Sequence, residues 1–170
     1  MSDLLLRLAL SDDLPRIVEI YNAAIPGRKA TADLTPVSVA DRVPWFHAHT
    51  PDCHPLIVAD EGGGEIVGWA SLSPFYGRPA YRHTAEISVY VAPQHSGRGI
   101  GRTLVDEMLR RCPELGIKTV LAVIFAHNEP SVRLFTSRGF KLWGHLPRIA
   151  ELDGVERDAQ YYGLRVERAM

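Results

Sequence analysis

The sequence predicts a single α/β or α+β domain in which helices cover one central sheet. Apolar runs of strand type alternate along the chain with segments of helical periodicity, and the 170 residues contain no repeat, low-complexity tract or linker. A chain of this length can bury a core without disulfides, and its 46% hydrophobic and 23% charged residues are typical of a globular protein. Strands and helices mixed in this way pack as three layers. We therefore assign residues 1–170 to one domain.

The N-terminal part of the chain is predicted to form a strand and two helices. An apolar run over residues 4–8 predicts the strand. Polar residues 11–13 offer an N-cap, and the residues that follow have helical spacing as far as Ala24. A second helix is expected from near Ser38. Its Pro44 is tolerated only in the first turn or at a kink.

Three strands are predicted in the middle of the chain. Residues 56–59 and 66–72 are apolar on both sides of the turn DEGGG, which is the pattern of a hairpin. The following segment SPFYGRPAYR, residues 73–82, is rich in proline, glycine and aromatic residues and is expected to be a structured loop. Apolar and polar residues then alternate over 85–91, so three side chains share the polar face of a strand: Glu86, Ser88 and Tyr90.

Two helices and three strands are predicted in the C-terminal half. Apolar residues at helical spacing predict a helix between Leu104 and Cys112, and an apolar run over 119–125 predicts a buried strand. A short helix over 129–137 ends at a glycine. The last two strands are expected at 140–143 and 161–166, and no element is predicted between them.

Charge and cysteine content exclude several classes of protein. The formal net charge of −1 gives no basic field that favours nucleic acid or an anionic membrane. Cys53 and Cys112 are typical of thiols in a reducing compartment. The N-terminus lacks the features of a signal peptide, and no apolar run approaches the ~18 residues of a membrane span. We expect a cytoplasmic protein with no membrane or nucleic-acid partner.

The stretch QHSGRGIGRTL, residues 94–104, places three glycines at alternate positions between a strand and a helix. The first N–H groups of a helix have no internal partner and favour an anion, and glycine lets the backbone approach oxygens closely. Arg98 and Arg102 add charge for a second phosphate. The lysine and hydroxyl pair of a P-loop and the spacing of a dinucleotide fingerprint are both missing. The alternative is a glycine-rich turn that only caps the helix.

The pattern Gln94-x-x-Gly97-x-Gly99 resembles the pyrophosphate loop Q/R-x-x-G-x-G/A of the GNAT superfamily of acyl-CoA N-acyltransferases. The order of elements over residues 85–143 matches that superfamily. Several stretches within residues 5–147 resemble the phosphinothricin and L-amino-acid N-acetyltransferases, including those acting on methionine sulfone and sulfoximine: IYNAAI, PVSVADRVPWFHAH, VGWASLSPF, YRHTAEISVYV and NEPSVRLFTSRGF. The resemblance implies the GNAT fold, a mixed, mostly antiparallel twisted sheet of about seven strands with helices on both faces.

The resemblance also implies acetyl-CoA as co-substrate, without a metal. Backbone groups of Val89, Tyr90 and Val91 would pair with the pantetheine arm and the thioester. The amides of one loop would hold the pyrophosphate, namely those of Gly97, Arg98, Gly99, Ile100, Gly101 and Arg102. Asn128 would hydrogen-bond the pantetheine, with Ser131 nearby.

Glu86 falls where the subgroup carries its proposed general base, and the chemistry independently favours this role. An amine is mostly ammonium near pH 7, since α-amino groups titrate near ~8. A carboxylate beside the thioester can take the proton directly or through one water, while a strand amide polarises the thioester oxygen. Direct transfer in a ternary complex then needs no covalent enzyme intermediate. The alternative is a solvated carboxylate on a half-buried strand.

The acceptor pocket is expected at the loop 75–82 and the strand that follows it. Its expected lining is Tyr76, Gly77, Arg78, Arg82, Glu86, Ile87 and Ser88. Arg78 and Arg82 suit a substrate carboxylate, although solvated loop arginines explain them equally well. The expected acceptor is an amino acid or an analogue such as phosphinothricin or methionine sulfone. A protein N-terminus or another small amine, such as an antibiotic, is the alternative.

Two positions depart from the family pattern. Phe135 stands where other members carry a Tyr or His that protonates the leaving thiolate, so water, Tyr90 or another residue must supply that proton. This departure keeps open a non-catalytic acyl-CoA-binding module. The C-terminal segment lacks the tryptophan of a G-x-W-x-D-like motif near the acceptor or the dimer contact. The subgroup commonly forms homodimers, and aromatic residues at Trp143 and 161–162 are candidates for that contact.

Overall fold

The computed structural model describes residues 4–166, which form one seven-stranded sheet covered by four helices. The strands are β1 (Leu5–Leu8), β2 (Leu56–Asp60), β3 (Ile66–Pro74), β4 (Thr84–Val91), β5 (Thr119–Phe125), β6 (Lys141–Leu152) and β7 (Val155–Arg165). The helices are α1 (Leu14–Ala24), α2 (Val39–Ala48), α3 (Ile100–Arg111) and α4 (Glu129–Ser137). The predicted fold class is confirmed.

The sheet has the strand order β1-β2-β3-β4-β5-β7-β6. All neighbours are antiparallel except β4 and β5, which are parallel. One face packs against α3 and α4 through a core that includes Ile87 and Phe135, and the other packs against α1 and α2 through a core that includes Ile17 and Trp69. Alternation along β4 therefore sends its apolar side chains towards α3 and its polar ones towards α1.

The C-terminal hairpin is longer than the sequence analysis predicts. Strands β6 and β7 run through the stretch to which no element is assigned, and they meet at Asp153-Gly154. Both turn residues have positive φ, 51° and 78°, as a type I′ hairpin turn requires, and Asp-Gly is a strong sequence signal for that turn. The signal is present, but an irregular register between Leu146 and Ala150 breaks the alternation that marks a strand.

Two further residues bear on the predicted elements. Pro44 lies inside α2 beyond its first turn, so the first of its two predicted settings is excluded and a kink stays a prediction. Tyr162, expected as part of an exposed aromatic contact, is 6% exposed and belongs to the core, whereas Trp143 is 50% exposed. Within residues 4–166, no helix combines the length and the apolar character that crossing a membrane would require.

Candidate active site

The centre of the sheet contains a cleft where β4 and β5 separate. The two strands pair at three positions only, Thr84 with Thr119, Ala85 with Val120 and Glu86 with Leu121. Beyond these pairs the strands diverge around a cavity of about 250 Å³. Backbone groups on the facing edges have no strand partner there, so they are available to a ligand. The strand and helix residues that line the cavity are Glu86, Ile87, Ser88, Val89, Tyr90, Ala122, Val123, Ile124, Phe125, Asn128, Ser131, Phe135 and Ala159.

Glu86 lies at the point where the two strands part. Its side chain is half-buried and lines the cleft, and no residue between 4 and 166 forms a hydrogen bond with its carboxylate. Burial raises the pKa of Glu86 above its usual range. A poorly solvated carboxylate without a donor is well suited to accept a proton from a bound ligand.

The glycine loop leads from the end of β4 into α3. Gly97 and Gly99 have φ of 77° and 81°, and a Cβ atom on either would meet nothing within 4 Å. These glycines are therefore needed for their backbone conformation, and the space in front of them is open. The first hydrogen bond of α3 joins the Thr103 N–H to the Gly99 carbonyl at 3.0 Å. The amides of residues 100–102 precede it and have no acceptor within the helix.

The third glycine lies at a contact between two helices. Gly101 is in the first turn of α3, where an added Cβ would lie 3.4 Å from Leu134 Cδ2 of α4. This is an ordinary van der Waals distance, so the helix contact does not require glycine here. Arg98 and Arg102, the predicted phosphate-binding arginines, are both exposed. The Arg98 guanidinium donates a hydrogen bond to the carboxylate of Glu61, a partner in the β2–β3 turn that the sequence did not reveal.

Asn128 caps α4 and ties a loop to the cleft. Its Oδ1 accepts from the Ser131 N–H at 3.3 Å, and its Nδ2 donates to the Lys29 carbonyl at 3.1 Å. The Tyr90 hydroxyl donates to the Ala30 carbonyl at 3.0 Å. The segment 29–32 consequently lies along one side of the cavity.

The comparison of the whole sequence with family profiles now decides the class. The Acetyltransferase (GNAT) family matches residues 14–140, which include β4, the glycine loop, α3, β5 and α4. The chain belongs to the GNAT acetyltransferase family. The cleft beside β4 is therefore the candidate acetyl-CoA site of a GNAT enzyme.

Two curated relatives resemble this GNAT protein over almost its whole length. YwnH of Bacillus subtilis (strain 168), provisionally named a phosphinothricin acetyltransferase, is 47% identical over 158 residues, 93% of this chain and 96% of that protein. The L-methionine sulfoximine/L-methionine sulfone acetyltransferase of Pseudomonas aeruginosa (strain PAO1) is 32% identical over 155 residues, 91% of this chain and 90% of that protein.

Solved GNAT structures have the same fold. The phosphinothricin acetyltransferase of Sinorhizobium meliloti, in complex with acetyl-CoA, has a TM-score of 0.91 and 33% identity, covering 98% of this chain and 89% of that one. The ribosomal-protein-alanine N-acetyltransferase of Brucella melitensis has a TM-score of 0.89 and 35% identity, covering 95% and 99%. The predicted subgroup and its use of acetyl-CoA are thereby supported.

A second cavity lies on the α1 and α2 side of the GNAT sheet. It has a volume of about 170 Å³ and shares Ser88 and Tyr90 with the cleft. Its other residues come from three distant segments, so no local pattern in the sequence indicates that they share a cavity. These residues are Ile17, Val18, Tyr21, Val37, Arg42, Trp45, Trp69, Ser71 and Ser73.

Part of the predicted acceptor lining lies elsewhere. Four of the predicted residues are exposed on the β3–β4 loop and line neither of these two cavities: Tyr76, Gly77, Arg78 and Arg82. Two others, Ile87 and Ser88, line the cleft. The loop still reaches the neighbourhood of the cleft through Tyr161. Burial is the largest cause that raises the pKa of Tyr161. The neighbouring Tyr76 and then the charge of Glu86 raise it further.

The group that protonates the leaving thiolate is not evident from the sequence pattern. Phe135 is 5% exposed, lines the cleft and packs edge-on against Phe140 with ring centroids 5.1 Å apart. Tyr90, one predicted substitute, already donates its hydroxyl proton to the Ala30 carbonyl, and burial is the largest cause that raises its pKa. Both features make Tyr90 a weak acid towards a thiolate.

The segment HAHTPDCH, residues 47–54, contains three histidines and one cysteine, but none of them belongs to a group of three possible metal ligands within the described residues. In the described part of the chain, the single group of three possible metal ligands is Glu61, Glu65 and His95, near the glycine loop. One of these, Glu61, is paired with Arg98. The family to which the chain belongs is described by its acetyltransferase activity and not by a metal.

Proposed function

We propose that this GNAT enzyme transfers the acetyl group of acetyl-CoA to the primary amine of an amino acid or a close analogue. The observation that carries the proposal is the position of Glu86, an unpaired, half-buried carboxylate where β4 and β5 part. The names of the relatives, which include methionine sulfone and phosphinothricin as substrates, support a small amino-acid acceptor.

The residues present fit acetyl-CoA, which supplies an activated acetyl thioester. Open space in front of Gly97 and Gly99 and the free amides at the start of α3 suit a pyrophosphate, with Arg98 and Arg102 beside them. The unpaired edge of β4 from Val89 to Val91 would bind the pantetheine arm. The remaining amides of this loop, Ile100 and Gly101, and the side chains of Asn128 and Ser131 would complete the site.

Glu86 would act on the acceptor amine. Its carboxylate attracts the ammonium group and takes one proton, directly or through one water, so that the neutral amine attacks the thioester carbonyl. Burial supports this role because it raises the pKa of Glu86 and makes the carboxylate a stronger base. A backbone N–H on the free edge of β4 would stabilise the developing negative charge on the carbonyl oxygen. The C–S bond then breaks, the amide forms, and CoA leaves as a thiolate that takes a proton from water.

Acetylation of a protein N-terminus is the second candidate function. The observation that favours it is the likeness to the ribosomal-protein-alanine N-acetyltransferase of Brucella melitensis. The small volume of the second cavity, about 170 Å³, favours a small acceptor instead.

A thiol-release assay with acetyl-CoA tests the two candidates. The acceptors are the twenty amino acids, methionine sulfone, methionine sulfoximine, phosphinothricin and peptides with N-terminal alanine. We expect turnover on amino acids or analogues and a loss of ~10²-fold or more in Glu86→Gln. Glu114→Gln is the matched control, because Glu114 is exposed and lines neither cavity. Turnover on peptides alone would contradict the amino-acid acceptor, and bound acetyl-CoA without any turnover would contradict the enzyme.

We also propose that the enzyme is a cytoplasmic homodimer that uses the β6–β7 hairpin. Four apolar side chains there are about half exposed or more: Leu142, Trp143, Ile149 and Val155. Exposed apolar surface of this kind favours a protein partner. Light scattering after size exclusion should give twice the chain mass for the wild type and the chain mass for Trp143→Lys. A wild-type monomer would contradict the dimer.

A further inference from the structure

We propose that the second cavity binds the α-carboxylate of the acceptor and that Arg42 is the residue that holds it. This inference rests on the proposed function, because it requires the acceptor to be an amino acid. It adds the residue that would distinguish an amino acid from a simple amine.

The Arg42 guanidinium is held in place but most of its donors remain free. One nitrogen donates to Asp33 Oδ2 at 3.1 Å, and no other hydrogen bond links this side chain to the described residues. Its Cζ lies 4.8 Å from the centroid of the Tyr21 ring and 5.7 Å from that of Trp45. Cation–π contacts and one ion pair thus fix the plane of a group that has five N–H donors. A fixed fork of this kind matches a carboxylate.

The cavity connects Arg42 with the proposed chemistry. Arg42 lines it from α2, and Ser88 and Tyr90 line it from β4. The same two β4 residues line the cleft that contains Glu86. An acceptor that spans the two spaces could therefore place its ammonium group near Glu86 and its carboxylate near Arg42. The volume of about 170 Å³ is below the roughly 300–1,000 Å³ of sites for drug-sized ligands, which suits a small amine.

Arg42 fits this role better than the two arginines that the sequence singles out. Arg78 and Arg82 are exposed and line neither cavity, so a carboxylate bound to them would remain solvated. The Arg42 side chain is 25% exposed and lies against two aromatic rings. Reduced solvation strengthens a charge-assisted hydrogen bond, so the same fork binds a carboxylate more tightly at Arg42.

Steady-state kinetics with two acceptors test the inference. L-Methionine sulfone has a carboxylate, and L-methionine sulfone carboxamide replaces it with a neutral group. We expect Arg42→Met to raise the KM for methionine sulfone about tenfold to a hundredfold, because the substrate loses one hydrogen-bonded charge pair with the enzyme. The KM for the carboxamide and the KM for acetyl-CoA should stay unchanged. An unchanged KM for methionine sulfone, or equal increases for both acceptors, would overturn the assignment.

Further variants separate binding from structure. Arg42→Met leaves Asp33 without its cation, so Arg42→Met/Asp33→Asn should show the same selective increase in KM. Arg16→Met is the matched control, since this partly buried arginine on α1 lies outside both cavities. Arg78→Met and Arg82→Met should leave the KM for methionine sulfone unchanged. A larger effect from either one would move the carboxylate site to the loop.

Phosphinothricin provides the last kinetic comparison, because it has a second anionic group in its side chain. If Arg42→Met impaired phosphinothricin but not methionine sulfone, Arg42 would bind the side-chain anion and the α-carboxylate assignment would be wrong.

Calorimetric titration of methionine sulfone into the CoA-bound wild type and Arg42→Met distinguishes failure of this inference from failure of the proposed function. Binding that Arg42→Met abolishes, without turnover in the wild type, would support the carboxylate site and overturn the reaction. Turnover in the wild type with no effect of Arg42→Met would support the reaction and overturn the carboxylate site. Absence of both binding and turnover would overturn both.

Discussion

Glu86 of β4 lies opposite Leu121 of β5 in the last pair that these two parallel strands form. Immediately beyond this pair the strands diverge, and the carboxylate of Glu86 lines the resulting cleft. The separation exposes backbone donors and acceptors that a regular sheet would use internally. The divergence of β4 and β5 therefore produces both the position of the proposed base and the unpaired strand edge that would bind the thioester arm.

The pH dependence of the reaction should report the ionisation of Glu86. Burial raises the pKa of this carboxyl above its ordinary value of about 4.3, so the base form is lost at a higher pH than usual. We expect kcat/KM for the acceptor to fall as the pH decreases through this raised pKa. Measured from pH 4 to 8, Glu86→Gln should lack that acid limb, whereas Glu114→Gln should retain it. The same limb in Glu86→Gln would assign it to another group.

Glu86→Gln should stabilise the folded protein at neutral pH. A carboxyl whose pKa is raised by folding binds its proton more tightly in the folded state, so stability decreases as the pH rises from the unfolded value of about 4.3 to the folded value. Above that window, ionised Glu86 lowers the free energy of unfolding. Urea unfolding should show Glu86→Gln to be more stable than wild type at pH 7, with a smaller difference at pH 4. A less stable variant at pH 7 would contradict the unfavourable burial of this charge.

Gly99→Ala should weaken acetyl-CoA binding as well as stability. Gly99 has φ of 81°, and placing alanine in the left-handed region costs about 1–2 kcal/mol. The displaced amides should lose a charge-assisted hydrogen bond, which raises the Kd for acetyl-CoA by about tenfold to a hundredfold. Gly154→Ala is the control, because Gly154 has φ of 78° and equal free space but lies in the β6–β7 turn. For Gly154→Ala we expect a similar loss of stability and an unchanged Kd for acetyl-CoA. An equal increase in Kd for both variants would show that the glycine loop does not bind acetyl-CoA.

Two substitutions at Asn128 should separate helix capping from cofactor binding. Asn128→Ser keeps a capping oxygen for the Ser131 N–H but loses the donor to the Lys29 carbonyl, and Asn128→Ala loses both. In urea unfolding, we expect the free energy of unfolding of Asn128→Ala to be about 0.5–2 kcal/mol lower than that of Asn128→Ser. Both should raise the Kd for acetyl-CoA equally if the amide binds pantetheine. An unchanged Kd in Asn128→Ser would restrict this residue to structure.

Much of the fold follows from local patterns. The alternation in β4, the helix start expected near Ser38 and the helical spacing from Leu104 predict elements close to those observed, because such patterns act between near neighbours. The β6–β7 hairpin is the exception. Its Asp153-Gly154 turn is a local signal, but the register shift near Leu146 conceals the strands on either side.

The sequence by itself also places the groups of the proposed chemistry on one continuous segment, which contains Glu86 and the glycine loop. The tertiary structure alone decided the depth of the cleft, the pairing of Arg98 with Glu61 and the position of Arg42 beside the second cavity. These features join residues from separate elements. Strand divergence and helix packing set their distances, and a local sequence pattern contains no information on either.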